Sequence, residues 1–280
     1  MKLLRYGAPG AEKPGLLDAD GTVRDLSGVI PDLTGETLSD AALETLSALE
    51  PSTLPAVTPE RIGPCVGNVG KFLCIGLNYS DHAAETGAAI PEHPILFHKA
   101  TSAIVGPNDD VSLPRGSESS DWELELGVVI GTKAKYVSKE AALDHVAGYC
   151  IVNDVSERHF QNNLTGQWTK GKSCDTFGPI GPYLVTSDEV LDPQALSMRL
   201  DLNGNRMQTG TTGTMIFSVA EIIEHLSGLM TLHPGDIITT GTPPGVGLGM
   251  KPPLFLKRGD VMELEIEGLG IQRQNVVMDA

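Results

Sequence analysis

A chain of 280 residues with 40% hydrophobic content can bury a core large enough to fold without disulfide staples. Its 36 Asp and Glu against 20 Lys and Arg give a formal charge of -16, which repels phosphate backbones and anionic lipid and so argues against nucleic acid and membranes as partners. A small anion can still enter a cleft where a bound divalent cation or a few local Lys or Arg invert the potential.

Residues 1–68 read as a small N-terminal α/β domain and linker, and 69–280 as the catalytic part. Asp20-Gly21 is a hairpin turn between short β-type runs. Ser39 is a plausible N-cap for a helix whose Leu43, Leu46 and Leu49 share a face until Pro51 stops it. Pro51, Pro55, Pro59, Gly63 and Pro64 then break any regular element, which places the boundary there. Beyond it come short β-type runs at 72–76, 95–98, 122–130, 149–153 and 261–266, with Asn203-Gly204 as a further hairpin turn. Ser218 and Glu221 form a capping box for a helix from 219 to about 230, and a weaker helix is expected from 138 to about 145. The pattern describes an α+β, mainly β fold of mixed topology.

Cys65, Cys74, Cys150 and Cys174 have no C-x-x-C spacing, so neither a zinc site nor a disulfide framework is expected. No apolar run is long enough to cross a bilayer, and the N-terminus reaches charge and glycine too soon for a signal peptide. The expected location is the cytoplasm.

In Asp121-Trp122-Glu123-Leu124-Glu125-Leu126, alternation puts Asp121, Glu123 and Glu125 on one strand face. Such a pattern alone more often marks an exposed edge strand with solvated carboxylates. Here the apolar run Val128-Val129-Ile130 carries the strand into the core, where adjacent carboxylates need a cation. Asp154, at the end of the next strand, offers a third. Oxygen-only ligands suit Mg²⁺, with Mn²⁺ as substitute, rather than zinc. His82 and Glu85 stand three apart, a spacing that on a helical turn lets the carboxylate orient the imidazole as a general base, although a surface pair is the commoner meaning. Lys172, in a glycine-containing loop, could stabilise an oxyanion, or the loop could simply be solvated. The segment 239–247 lacks the G-K-[ST] ending of a phosphate loop, but its amides and Thr242 could grip a carboxylate.

N-Y-S-D-H-x-x-E (78–85), D-W-E-L-E-L (121–126), N-D-V-S-E-R-H-F-Q (153–161), K-S-C-D-T-F-G-P (172–179), M-I-F-S-V-A-E-I (215–222) and T-G-T-P-P-G-V-G (240–247), in this order, resemble the fumarylacetoacetate hydrolase family, and residues 1–68 resemble the N-terminal unit of its two-domain bacterial members. The resemblance implies a mixed β-roll that usually forms a homodimer or a dimer of dimers. It implies Glu123, Glu125 and Asp154 as ligands of Mg²⁺, His82 and Glu85 as a water-activating dyad on a segment that closes over the ligand, and Lys172 as the active-site lysine. It further implies Thr242 as a substrate-carboxylate contact, Gln161 as a polar pocket residue and Lys99 as a second lysine. His159 stands where many members carry Asp, which bears on the role of Arg158. The implied substrate is a small anionic 2-oxo acid. The implied reaction is metal-dependent hydrolysis of a 2,4-dioxo acid, such as 2,4-dioxo-3-deoxy-L-rhamnonate from sugar-acid catabolism, to pyruvate and a carboxylic acid. Ureidoglycolate lysis, oxaloacetate decarboxylation and dienoate isomerisation would use the same site, and a metal-stabilised binding protein is the alternative of another class.

Overall fold

A computed structural model describes residues 1–81 and 89–279. The fold is α+β and mainly β, with two large sheets and one two-stranded sheet among the described residues. The larger has eleven strands, ordered in space Ala56–Val57, Val23–Asp25, Lys13–Leu17, Lys2–Tyr6, Gly178–Thr186, Val146–Asn153, Leu124–Ile130, Ile237–Thr239, Phe72–Gly76 and Ile95–Lys99, with Ile104–Val105 pairing Gly178–Thr186 off this path. Most pairs are antiparallel, but Ile237–Thr239 runs parallel to Phe72–Gly76, which makes the sheet mixed. The second sheet has five strands, Asn205–Thr211, Ser197–Leu202, Val261–Ile266, Gly270–Met278 and Val111–Leu113.

Strand alternation sorts the core into two parts. Leu124, Leu126, Val128 and Ile130 pack with Leu200, Leu264 and Ile266 of the second sheet and with Ile222, Ile223 and Leu226 of the Val219–Leu229 helix. Val129 has the opposite parity and packs with Phe72, Cys74, Leu3 and Leu184 on the other face. Each such side chain contributes about 1.5–3 kcal/mol through burial. Glu125 shares the parity of Val129, so it points away from the second sheet. The four strands of the first 68 residues extend the large sheet through Lys2–Tyr6 and Gly178–Thr186, and Leu26, Leu33, Leu38 and Leu46 join the core on that other face.

The expected local devices are present. Asp20-Gly21 connects paired strands, Asn203 and Gly204 turn at φ 53° and 78°, and Ser39 caps a helix over Asp40–Ser47. Ser218 and Glu221 close the capping box of the Val219–Leu229 helix. Two expectations need correction. Residues 139–145 form a 3₁₀ helix rather than an α-helix. The strand expected over 122–130 begins at Leu124, while Asp121 belongs to a separate two-residue strand, Ser120–Asp121, paired with Ser156–Glu157. The break arises because side chains capture the backbone there. Trp122 N donates to Asp121 Oδ1 at 2.9 Å, Glu123 N to Asn153 Oδ1 at 3.3 Å and Leu124 N to Gln208 Oε1 at 3.0 Å. Among the described residues no helix is long and apolar enough to cross a membrane.

Candidate metal centre and cavity

The site forms where Leu124–Ile130 meets Val146–Asn153. Leu124 pairs with Asn153, and the ladder continues one step as Asp154 N donates to Glu123 O at 2.8 Å. Register thus brings Asp154 opposite Glu123, and alternation puts Glu125 on the same face. The strand is central rather than at an edge, and all three carboxylates are buried, each with a ligand atom within 4.8 Å of the other two.

Three cations surround this group. Lys172 Nζ bridges Glu123 Oε2 at 2.7 Å and Asp154 Oδ2 at 2.6 Å. Lys99 Nζ donates to Asp154 Oδ1 at 2.6 Å and to Val155 O at 3.0 Å. Arg158 reaches Glu123 Oε1 at 2.6 Å and donates through Nη1 to Gln161 Oε1 at 3.1 Å, while its Nη2 lies 2.8 Å from Asp121 Oδ2. Lys172 is seated by packing. A Cβ on Gly171 would lie 2.3 Å from Glu157 O and 2.5 Å from Gln161 N, so only glycine lets the Thr169–Lys172 helix approach Arg158–Asn162.

The two glutamates differ in charge environment. Burial opposes the charge on Glu123, but Lys172 and Arg158 outweigh it and hold the carboxyl down at about 2. Glu125 is raised well above the usual range, first by burial and then by the charges of Asp154 and Glu123. No Lys or Arg among the described residues makes an ion pair with it. Its Oε2 accepts from Gly241 N at 2.8 Å, and Gly241, at φ +91°, could carry a Cβ only 2.9 Å from Asn78 Cβ. Burial would discharge Lys172, but Asp154 and Glu123 keep its ammonium above the ordinary lysine range.

A converging all-oxygen set, in which Glu125 has no Lys or Arg ion pair among the described residues, fits a hard divalent cation, which Glu123, Glu125 and Asp154 would hold. Glu123 and Glu125 line a cavity of about 530 Å³, together with Arg158, Gln161, Lys172 and Thr242. Asp154, fully buried, lies behind them. The hydroxyl of Thr242 donates to Leu124 O at 2.9 Å and accepts from Gln208 Nε2 at 2.8 Å, so it must leave the Leu124 carbonyl to donate to an anion. His82 and Glu85 lie outside the described residues. His159 is exposed and its ring stacks edge-on against Phe160, while Arg158 is occupied by Asp121 and Glu123. The four cysteines are free thiols, three of them buried and Cys174 partly so.

Several residues given no role by the sequence shape this site. Asp121 accepts from Gly247 N at 2.7 Å and Leu248 N at 2.9 Å while binding Arg158, which ties the 243–250 loop to the partner of Glu123. Its membership of the acidic motif was the only signal. Phe97 and Trp168 form an aromatic wall, their ring centroids 5.3 Å apart, and Lys172 Nζ lies 5.0 Å from the Phe97 ring centre. A lone tryptophan in a loop gave no signal at all. Trp168 packs so closely on Gly76 that a Cβ there would meet its ring at 2.4 Å.

The sequence model of the fumarylacetoacetate hydrolase C-terminal domain matches residues 71–277. A Burkholderia multivorans protein carrying the provisional name hydrolase is 62% identical over 276 residues, 98% of each chain. The fumarylacetoacetate hydrolase of Exiguobacterium antarcticum is 36% identical, with 100% of both chains covered and a TM-score of 0.85. The maleylpyruvate hydrolase of Sphingobium sp. SYK-6, solved with manganese(II) and pyruvate, is 28% identical, with the same coverage and a TM-score of 0.81. Isomerases also occur among the similar structures.

Proposed function

The chain belongs to the fumarylacetoacetate hydrolase family, and from that premise we propose that it hydrolyses the C3–C4 bond of a 2,4-dioxo acid to pyruvate and a carboxylic acid. The observation that carries this reading is the convergence of Glu123, Glu125 and Asp154 beside Lys172 at one cavity. A divalent cation there, Mg²⁺ or Mn²⁺, would supply Lewis-acid charge to the 2-oxo acid end of the substrate.

The remaining work falls to the chain's own residues. Arg158 and Lys172 offset the negative charge of the incoming carboxylate, which the three acids alone would repel. His82, oriented by Glu85, takes a proton from water as its oxygen adds to C4. Lys172 donates to the oxyanion that forms there. The C3–C4 bond then breaks, its electron pair passing into the pyruvate enolate, and a proton returns to C3. The Phe97 and Trp168 wall limits the access of other water. Thr242, Gln161 and Lys99 orient the substrate and the acids around it, and assembly as a homodimer or a dimer of dimers belongs to the same reading.

His82→Ala is expected to lower kcat for a 2,4-dioxo acid by at least roughly 10²-fold, the lower end for a positioned base, with little change in cation affinity. The assay follows pyruvate and carboxylic acid together. Undiminished hydrolysis removes His82 from the mechanism. Glyoxylate and urea from ureidoglycolate, carbon dioxide from oxaloacetate or isomerised dienoate, without dioxo-acid cleavage, would identify one of the alternative reactions, and no turnover at all would favour a binding protein.

A further inference from the structure

The Thr239 hydroxyl is the one buried side-chain oxygen or nitrogen among the described residues that has no hydrogen-bond partner. Its residue is fully buried at the end of the Ile237–Thr239 strand, between Leu124–Ile130 and Phe72–Gly76 in the large sheet. An undonated buried hydroxyl is costly, and in native proteins such an exception marks stored strain, a catalytic role or a bound ion or water.

Strand geometry says what Thr239 faces. It pairs with Gly127 on one side and with Cys74 on the other. It has the parity of Ile237, which packs on the same face as Cys74 and Val129, whereas Ile238 packs towards the second sheet. Glu125 shares the parity of Val129 and stands two residues from Gly127. That makes it the diagonal neighbour of Thr239 across an antiparallel pair, within reach of a long side chain. Gly127 puts no side chain between them, and a Cβ there would lie 2.7 Å from Val152 Cγ2 and 2.8 Å from Cys150 Sγ. Burial and the charges of Asp154 and Glu123 raise the Glu125 carboxyl, and Thr239 is among the groups that oppose this rise. Burial and Asp154 likewise raise the Cys74 thiol, and Thr239 opposes that rise too. The hydroxyl is therefore close enough to act on Glu125 but is not aligned to donate to it.

The supports of the three acids differ in kind. Glu123 and Asp154 are held by Lys172, Arg158 and Lys99, whose charges compete with a cation for the same oxygens. Glu125 accepts through Oε2 from Gly241 N, a neutral donor. A second neutral donor fixes its carboxylate without adding positive charge beside the ion.

We propose that Thr239 is a positioning residue of the cation site: when Glu125 commits its carboxylate to a divalent cation, the Thr239 hydroxyl donates to that carboxylate and gains the partner it otherwise lacks. The proposal rests on the assignment of Glu123, Glu125 and Asp154 to the cation, and not on which 2-oxo acid is turned over.

Thr239→Val removes the hydroxyl with little change of shape, and Thr239→Ser keeps it. The test titrates Mn²⁺ into the full chain, stripped of divalent ions, by calorimetry and records melting curves with and without the ion. Thr239→Val should bind Mn²⁺ roughly 10-fold or more weakly than the wild type, the scale for losing the partner of a ligand, while melting at the same temperature or higher without the ion. Thr239→Ser should restore the affinity. Loosened packing alone would lower the ion-free melting temperature, so the two signs together separate positioning from support of the fold. Unchanged Mn²⁺ affinity in Thr239→Val, a lower ion-free melting temperature in that variant, or failure of Thr239→Ser to recover affinity each overturns the role of Thr239. Absence of Mn²⁺ binding by the wild type overturns the cation assignment itself, and the role of Thr239 with it.

Discussion

Glu125→Gln is expected to lower kcat/KM by roughly 10³-fold or more, the scale of several kcal/mol of lost charge stabilisation, while leaving the ion-free protein at least as stable as the wild type. The two effects have a common origin. Glu125 is buried beside two other acids and has no Lys or Arg ion pair among the described residues, so its charge is the costly one when no cation is bound. Glutamine keeps the volume and can still accept from Gly241 N, but it no longer repels Asp154 and Glu123. Binding of an ion should stabilise the wild type, by about 2.7 kcal/mol at a hundredfold excess over Kd, and leave the variant almost unmoved. Glu123→Gln should behave differently, because it leaves Lys172 and Arg158 buried with less negative charge and costs about 3–5 kcal/mol even without an ion. Melting curves of both variants with and without Mn²⁺ check this. Equal destabilisation of the two ion-free variants would contradict the charge assignment.

Lys172→Met separates binding from chemistry. The ammonium bridges Glu123 and Asp154, the same carboxylates that would hold the cation, and it also faces the cavity. Its removal should lower kcat by roughly 10²–10³-fold, the usual cost of losing one oxyanion donor. Cation affinity should tighten, since a unit positive charge a few ångströms away repels the ion. Asp154 keeps Lys99 and Glu123 keeps Arg158, and methionine fills the space, so the fold should survive to be measured. Calorimetry with Mn²⁺ beside steady-state kinetics gives both signs. Weaker cation binding with unchanged kcat would make Lys172 a structural support and nothing more.

The centre of the site was legible because its logic is local. Alternation identifies Glu123 and Glu125 as sharing a face, and the run Val128-Val129-Ile130 marks the strand as buried rather than exposed. Asp154 could be nominated but not positioned from sequence, because strand register depends on pairing between residues about thirty apart. Capping boxes and Gly turns were legible for the same local reason. Asp121 was misplaced on the Glu123 strand because alternation carries no record of side chains capturing backbone amides, as Asp121, Asn153 and Gln208 do here. The helix expected over 138–145 became 3₁₀ since its apolar spacing does not distinguish the two. Trp168 was invisible, as it reaches the cavity from a loop whose path is set by a long-range contact at Gly76. The family resemblance named His82, Glu85 and Lys172 where periodicity alone would have left a surface pair and a solvated loop.

The most direct test of the account is single-turnover cleavage of a 2,4-dioxo acid by protein stripped of divalent ions and then reloaded with Mg²⁺ or Mn²⁺. Pyruvate and the matching carboxylic acid should appear in equal amounts only after reloading, and Glu125→Gln should not recover. Equal rates in stripped and reloaded wild-type protein, or substrate loss without pyruvate, would contradict it.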